Sequence, residues 1–528
     1  MNFYILTVSV IILMCLALAK FSRKLGMPIL LAFILLGMFF GTDGLFKIDF
    51  DNYDFAEKIC SAALIFIMFY GGFGTNWSSA KPIVAKAVTL SSLGVILTSA
   101  ITGIFCCYVL KFSLFESMLI GSVIGSTDAA SVFSILRSKK ISFKHNTAQL
   151  LEMESGSNDP FSYMLTIIVL SAAESKMSGG SIVYMIFAQI VFGILIGVLC
   201  AYVSKTILPK IAYDGIDTAF IFSMALISYS AASMIGGNGY LSTYIFGIIL
   251  GNCPIKNKKS LVHFFDGVTL LMQMLIFFLL GLLSFPSKFP TIMAPAILIA
   301  LFLTFVARPL SVFAILAPQK CTFKQQLLVS WCGIRGAASI VFAIMATVHP
   351  AYLKNDVFHI VFFIVLFSIS IQGALLPFVS KKLGMIDEKG DIMKTFSDYT
   401  EEMPIQFIKI YVGKNHPWIN KKVCEIKLLP EVLLVTIMRG GEKVIPKGNT
   451  VIYENDILIL SALSFESSAE NFLTELTIDE NHEWAGKRIC ELKFADDALI
   501  VVIKRKDSII IPNGRTLVKQ NDVLVISR

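Results

Sequence analysis

Apolar runs of about twenty residues recur along residues 1–383, each bounded by a short polar or glycine-bearing stretch. A bilayer core about 30 Å thick needs about 20 apolar helical residues to cross it, so the pattern predicts membrane-spanning helices. Thirteen segments qualify, at about 3–20, 28–46, 59–74, 84–109, 117–136, 148–172, 181–204, 218–236, 239–252, 264–284, 291–316, 326–348 and 357–379. The ninth is short and follows Gly236, Gly237 and Gly239. Beyond residue 383 the apolar runs shorten to strand length and alternate with turn residues, the signature of small α+β units. The fold expected is an all-α polytopic membrane domain at 1–383 with about 13 helices. A linker at 384–402 and two small α+β domains at 403–465 and 466–528 follow it.

Composition sharpens that division. The whole chain is 55% hydrophobic and 16% charged, but charged residues form about 10% of the first 383 positions and about 30% of the rest. A single soluble enzyme, a secreted disulfide scaffold and a disordered protein are excluded. The net charge of +8 lies in the membrane part, the wrong distribution for a nucleic-acid binder. Ten cysteines show no CxxC and no Cys/His spacing, which reads as reduced, unligated thiols. The first apolar run, Ile5 to Ala19, has no basic segment before it and Lys20, Arg23 and Lys24 after it, so it reads as a retained span.

Loop charges orient the helices. The loops 20–27, 75–86, 137–146, 204–217, 251–263 and 317–325 carry sixteen Lys and Arg, and the alternate loops carry six. Basic loops face the cytoplasm. The N-terminus is therefore expected outside, and thirteen crossings put the tail in the cytoplasm.

The ionisable residues singled out inside apolar runs are Asp128, Glu152, Glu154, Asp159, Arg308 and Arg335. Such charges face a cavity or a partner rather than lipid. At about 1.5 Å per residue, Asp128 and Asp159 lie roughly 17 Å deep and Arg335 roughly 14 Å. Asp128 ends Gly121-Ser-Val-Ile-Gly-Ser-Thr, and Arg335 sits in Cys332-Gly-Ile-Arg-Gly-Ala-Ala-Ser339. Paired interruptions in the two halves of a chain point to a transporter site made of broken helices. Asp128 is expected to neutralise the positive half-helix ends and Arg335 the negative ones. Arg308, roughly 12 Å deep, and Glu154, roughly 9 Å deep, are expected to pair as scaffolding. Glu152, nearer the inner surface, is either solvated or helps lead cations inward.

The run Glu154-Ser-Gly-Ser-Asn158-Asp159-Pro160 places Ser155 and Asp159 on one helix face, with Glu154 and Asn158 on the next ridge. Pro160 should loosen the helix at the acid. Carboxylate, hydroxyl and amide oxygens suit a hard monovalent cation. Asp159 holds either that cation or a proton, and this competition suffices for exchange.

With these residues the chain resembles the NhaP-type sodium/proton antiporters, relatives of the animal sodium/proton exchangers, over roughly residues 5–383. Glu154-Ser155 followed by Asn158-Asp159 carries the likeness most strongly. Gly125 to Ala130, Ala307-Arg308, Gly333 to Ala337, Gln372-Gly373 and Gly247 through Asn252 support it. The resemblance implies inverted repeats, two broken crossing helices, a homodimer and elevator-like alternating access. It also implies that Asp159 carries cation or proton, that Asn158 steadies the site, that Thr127 and Ser155 add oxygens for the transported metal ion, and that exchange is electroneutral. One departure stands out: near Phe69-Tyr70-Gly71-Gly72 many relatives carry an acid, and here the position is Tyr70.

The tail is a duplication. Residues 412–461 align with 478–527 without a gap at a constant offset of 66, with 19 identities in 50 positions. Asn415, His416, Trp418, Cys424, Pro446, Gly448, Asn455 and Asp456 recur as Asn481, His482, Trp484, Cys490, Pro512, Gly514, Asn521 and Asp522. Each copy resembles a TrkA C-terminal (RCK-C) domain, a module that regulates potassium channels and transporters. That implies control by a small ligand, a cyclic dinucleotide or another nucleotide. No GxGxxG follows a tail strand, so a direct NAD or ATP site is not expected and no cofactor is assigned. His416 and His482 either sense pH or contact a ligand, or, as the simpler reading, cap or pack within the unit.

The function expected is a cell-membrane antiporter exchanging K⁺ or Na⁺ for H⁺, not an enzyme, with a leaning to K⁺ from the tail and from Tyr70. An ion channel would need a filter of carbonyls or charges, and no TVGYG-like segment is present. A membrane-anchored ligand sensor would leave the midplane charges unused. An organic-anion transporter would want a net positive site, and here acids dominate.

Overall fold

The computed structural model describes residues 2–25, 28–139, 141–174, 179–210, 215–255, 258–350, 354–387, 405–414, 416–426, 428, 432–440, 442–463, 473–479, 482–492, 499–505, 508–510 and 512–527. Most of the expected linker, with Asn415 and Asn481, lies outside them. The chain divides into two compact units, Met1–Glu401 and Glu402–Arg528.

The first unit is helical. It begins with α1 (Asn2–Leu25), α2 (Ile29–Phe40), α3 (Tyr53–Gly74) and α4 (Val84–Tyr108). Then come the half-helices α5 (Leu114–Val123) and α6 (Ala129–Lys139), and the long α7 (Thr147–Glu174). Next are α8 (Gly179–Ile207), α9 (Ile216–Met234), α10 (Gly239–Gly251) and α11 (Lys258–Leu282). The unit closes with α12 (Pro286–Leu316), the half-helices α13 (Phe323–Trp331) and α14 (Ala337–Val348), and α15 (Val357–Lys382). Among the described residues seven helices are long and apolar enough to cross a membrane, and five more apolar helices are shorter. Two of the short ones, α5 and α14, belong to the interrupted runs.

Local chemistry sets many boundaries. Asn52, Ser113, Asn238, Thr322 and Asp356 each accept the backbone N–H three residues on, the arrangement that satisfies an exposed helix start. Single π-turns interrupt α4 at Leu90–Gly94, α12 at Leu303–Ala307 and α15 at Ser368–Gly373. The second ends immediately before Arg308, re-aiming the side chains that follow. α7 continues through Pro160, so the expected loosening at the acid does not interrupt the helix. The Pro160 carbonyl instead accepts from Asn238 Nδ2 at 2.8 Å, and packing on both sides outweighs one missing backbone bond. α3 and α10 approach so closely that a Cβ on Gly247 would overlap the backbone of Phe69. Leu13, Val183, Leu199 and Phe305 are exposed, as lipid-facing positions are.

In the second unit each tail copy forms one antiparallel sheet. β1 (Ile405–Tyr411), β2 (Leu433–Arg439), β3 (Glu442–Val444) and β4 (Ile457–Leu463) lie in the order β1-β4-β2-β3. β5 (Leu473–Thr477), β6 (Leu499–Arg505), β7 (Ser508–Ile510) and β8 (Val523–Ser527) repeat it as β5-β8-β6-β7. Even the irregularity recurs, between Leu434 and Thr436 and between Ile500 and Val502. The described tail residues hold strands and one 3₁₀ turn per copy, without an α-helix. His416 and His482 pack edge-on against Trp418 and Trp484 at 5.1 Å, and each ring Nδ1 accepts the backbone N–H of that tryptophan at 3.3 Å.

The recurring aspartates are anchors. Asp456 accepts both arms of Arg439 at 2.8 Å and the Tyr453 N–H at 2.9 Å. Asp522 accepts Arg505 at 2.7 Å and the Lys519 N–H at 2.8 Å. Burial acts to raise these carboxyls, but the guanidinium and backbone donors outweigh it and hold both below the usual range. A depressed folded value makes the stabilisation full above the unfolded value of about 3.9 and lost as pH falls through the folded one. The amide I strand band, monitored in the full chain, should persist above about pH 5 and melt below about pH 4. Arg439→Ala should lower tail stability by about 1–3 kcal/mol at neutral pH in a thermal melt of that band.

Candidate functional site

Two interrupted helices meet inside the first unit. α5 stops at Val123 and α6 starts at Ala129; α13 stops at Trp331 and α14 starts at Ala337. The intervening glycines and small polar residues let the two segments cross in contact. The Asp128 N–H donates to the Ile334 carbonyl at 2.7 Å, and the Ser126 and Ser339 hydroxyls lie 3.1 Å apart. A Cβ on Gly336 would run into the Asp128 side chain, so this position requires glycine.

Each break exposes helix ends with unpaired backbone groups and partial charge. Asp128 caps α6: Oδ1 accepts from Ala130 N at 3.0 Å, and Oδ2 from Ser131 N at 3.3 Å and Ser131 Oγ at 2.5 Å. Arg335 takes the opposite end. Its Nη1 donates to the carbonyls of Gly125 at 2.9 Å and Ser126 at 2.6 Å, just beyond α5. The Arg335 N–H donates to Ser368 Oγ at 3.2 Å, and Ser368 donates to Gln372 at 2.8 Å. Gln372 and Trp331 exchange two hydrogen bonds, which fastens the end of α13 to α15.

α7 lies against this crossing and presents a ladder of polar groups. Glu154 accepts from Arg308 Nη2 at 2.6 Å, with both side chains essentially fully buried. Ser155 donates to the Thr127 carbonyl at 2.7 Å and accepts the Ala129 N–H at 2.9 Å, so its hydroxyl splices the first break. Asn158 Nδ2 donates to Thr127 Oγ1 at 2.6 Å. Asp159 faces a small cavity together with Ser126, Thr127, Asp128, Gly336 and Gln273. Thr127 and Asp159 therefore line the cavity, while Ser155 and Asn158 stand behind Thr127 and hold it. Glu152 is half-buried on the same helix.

Three polar contributors were not singled out by sequence: Ser126, Ser368 and Gln273. Gln273 is the most telling, because it is a lone amide within the apolar α11 and it reaches the cavity. Tyr70 also has a defined neighbour, since its hydroxyl donates to Asp266 of α11 at 3.3 Å.

Comparison with known proteins agrees with this geometry. The family model described as "Sodium/hydrogen exchanger, transmembrane" matches residues 9–382, and the TrkA-C domain model matches 407–464 and 473–527. The K(+)/H(+) antiporter NhaP of Alkalimonas amylolytica is 31% identical over 472 residues, 88% of this chain and 82% of that protein. The K(+)/H(+) antiporter NhaP2 of Shewanella sp. (strain MR-4) is 30% identical over 462 residues, 86% of this chain and 79% of that protein. The solved structure of the sodium proton antiporter MjNhaP1 from Methanocaldococcus jannaschii at pH 8 superimposes with a TM-score of 0.64 at 23% identity. It covers 72% of this chain and 98% of that one, which establishes the shared, mostly helical transporter fold.

Proposed function

From the premise that the chain belongs to the sodium/hydrogen exchanger family, we propose that it exchanges K⁺, and to a lesser extent Na⁺, for H⁺ across the cell membrane. The observation that carries this is the Asp159 carboxylate, lining a cavity beside Thr127 where two interrupted helices cross. Cation and proton compete for that carboxylate. Thr127 supplies oxygens to the cation, Asn158 steadies Thr127, and Ser155 acts through the Thr127 carbonyl it holds. Asp128 and Arg335 compensate the helix ends, and Glu154 with Arg308 braces them.

The membrane unit crosses thirteen times, with the N-terminus outside and the tail in the cytoplasm, as the basic loops favour. The order of a π-turned helix, a broken helix and a third helix occurs at α4 to α7 and again at α12 to α15, as inverted repeats would have it. The protein works as a homodimer. The reorienting site carries one cation or one proton, so exchange is electroneutral. The tail, at 403–465 and 466–528, gates it in response to a small ligand. Potassium is favoured because the similar antiporters from Alkalimonas and Shewanella are named for it.

The test is dequenching of a pH dye in proteoliposomes given K⁺, Na⁺ and Li⁺ in turn. K⁺ is expected to drive the largest proton movement, with a rate unchanged when the membrane potential is clamped at different values. Absence of proton movement with all three cations would refute the proposal.

A further inference from the structure

Asp266 is an ionisable residue within the apolar stretch Ser260–Leu282 of α11, roughly 9 Å from its start. A charge at such a position faces water or a partner rather than lipid. Its side chain is exposed, and the Tyr70 hydroxyl of α3 donates to it at 3.3 Å. The two helices are locked at this level by Phe69 and Phe265, whose rings lie 4.8 Å apart.

Both helices continue from this pair to the Asp159 cavity. On α11, Asp266, Leu270, Gln273 and Phe277 follow the i, i+4, i+7, i+11 spacing of one helical stripe, and Gln273 and Phe277 line the cavity. On α3, Leu64 and Ile67 line the cavity, and Gly71 continues their stripe toward the Asp266 end. A Cβ on Gly71 would meet nothing within 4 Å, so open space lies beside this end of the stripe. Asp266 stands seven residues, roughly 10 Å, from Gln273. Lys258, one of the two lysines that open α11, is engaged elsewhere: its Nζ bonds the Gly251 carbonyl and lies 5.8 Å from the Phe73 ring.

We propose that Asp266, oriented by Tyr70, is a collecting site for the transported monovalent cation on the cytoplasmic approach to Asp159. The carboxylate raises the local cation concentration at the mouth of the path. The Gln273 amide oxygen offers the next polar contact before Asp159. Asp266 is thus an affinity-setting residue that acts before the exchange step. This rests on the antiport and the cytoplasmic orientation proposed above.

The experiment measures the K⁺ dependence of proton movement in everted membrane vesicles, which present the cytoplasmic face. Asp266→Asn is expected to raise the half-saturating K⁺ concentration about fivefold to tenfold while leaving the maximal rate within about twofold. Asp266→Glu should stay near the parent. The difference between parent and Asp266→Asn should shrink as an inert salt is added, because screening weakens the attraction. Should Asp266→Asn fail to fold, Tyr70→Phe keeps the charge but frees it, and a rise of about twofold in half-saturation is expected. An unchanged half-saturation in the folded variant, or an equal, salt-insensitive rise in Asp266→Glu, overturns the proposal. Exchange that is absent from the parent protein defeats the antiport reading instead, so the two failures are distinguishable.

Discussion

Asp159→Asn is expected to reduce cation-driven proton movement in proteoliposomes to the level of empty vesicles, while the purified protein keeps its melting temperature and dimensions. The substitution preserves shape and removes what the proposed exchange needs, a group that is either protonated or paired with a cation. Neighbouring polar groups do not replace it. Asp128 is committed to the start of α6 through Ala130 and Ser131, and Asn158 is committed to Thr127. Substantial retained exchange in Asp159→Asn would end the carrier role. Loss of exchange accompanied by loss of folding would move Asp159 from transport to scaffold.

The second large effect is on stability. Arg308→Ala leaves Glu154 buried without its cation, and breaking a buried pair in this way typically costs about 3–5 kcal/mol. Glu154→Ala strands the guanidinium in the same manner. Removing both takes away the attraction together with the uncompensated charge, so the double variant should be less damaged than the two single effects added. Thermal melts of the four proteins measure the coupling, expected near the upper end of about 0.5–3 kcal/mol. Additive losses would dissolve the pair as an energetic unit. The effect should reach the site, because Gly333, within the second break, packs on the Arg308 side chain; a Cβ there would lie 2.9 Å from Nε.

Much of this could be read along the chain. Glycines and small polar residues around Asp128 and Arg335 mark places where an apolar helix cannot remain regular, and the helices stop there, at Val123 and Trp331. Depth from the helix ends places Glu154 and Arg308 at similar levels, and the structure joins them at 2.6 Å. The tail duplication is visible in identities alone, and both sheets share one strand order. The Arg439–Asp456 pair and its copy were also within reach, because arginine recurs at the same offset as aspartate.

Other features had no local signature. Ser155 and Thr127 suggest equivalent oxygens for a cation, yet one hydroxyl is spent splicing a break and the other side chain lines the cavity. The choice depends on how far α7 is rotated about its own axis. Asp266 and Gln273 share one face of α11 by their spacing, but only the fold shows that Gln273 reaches the cavity and that Tyr70 meets Asp266 across 196 positions of chain.

By itself the order of residues determined that the first unit is built of apolar helices, where two of them are interrupted, and that the tail is repeated, because hydrophobicity and backbone propensity act over a few turns. Only the tertiary structure decided which charge meets which partner, which oxygens face the cavity, and that Gln273 of α11 reaches it. Those outcomes depend on helix rotation and crossing, which are set by packing between segments far apart in the chain.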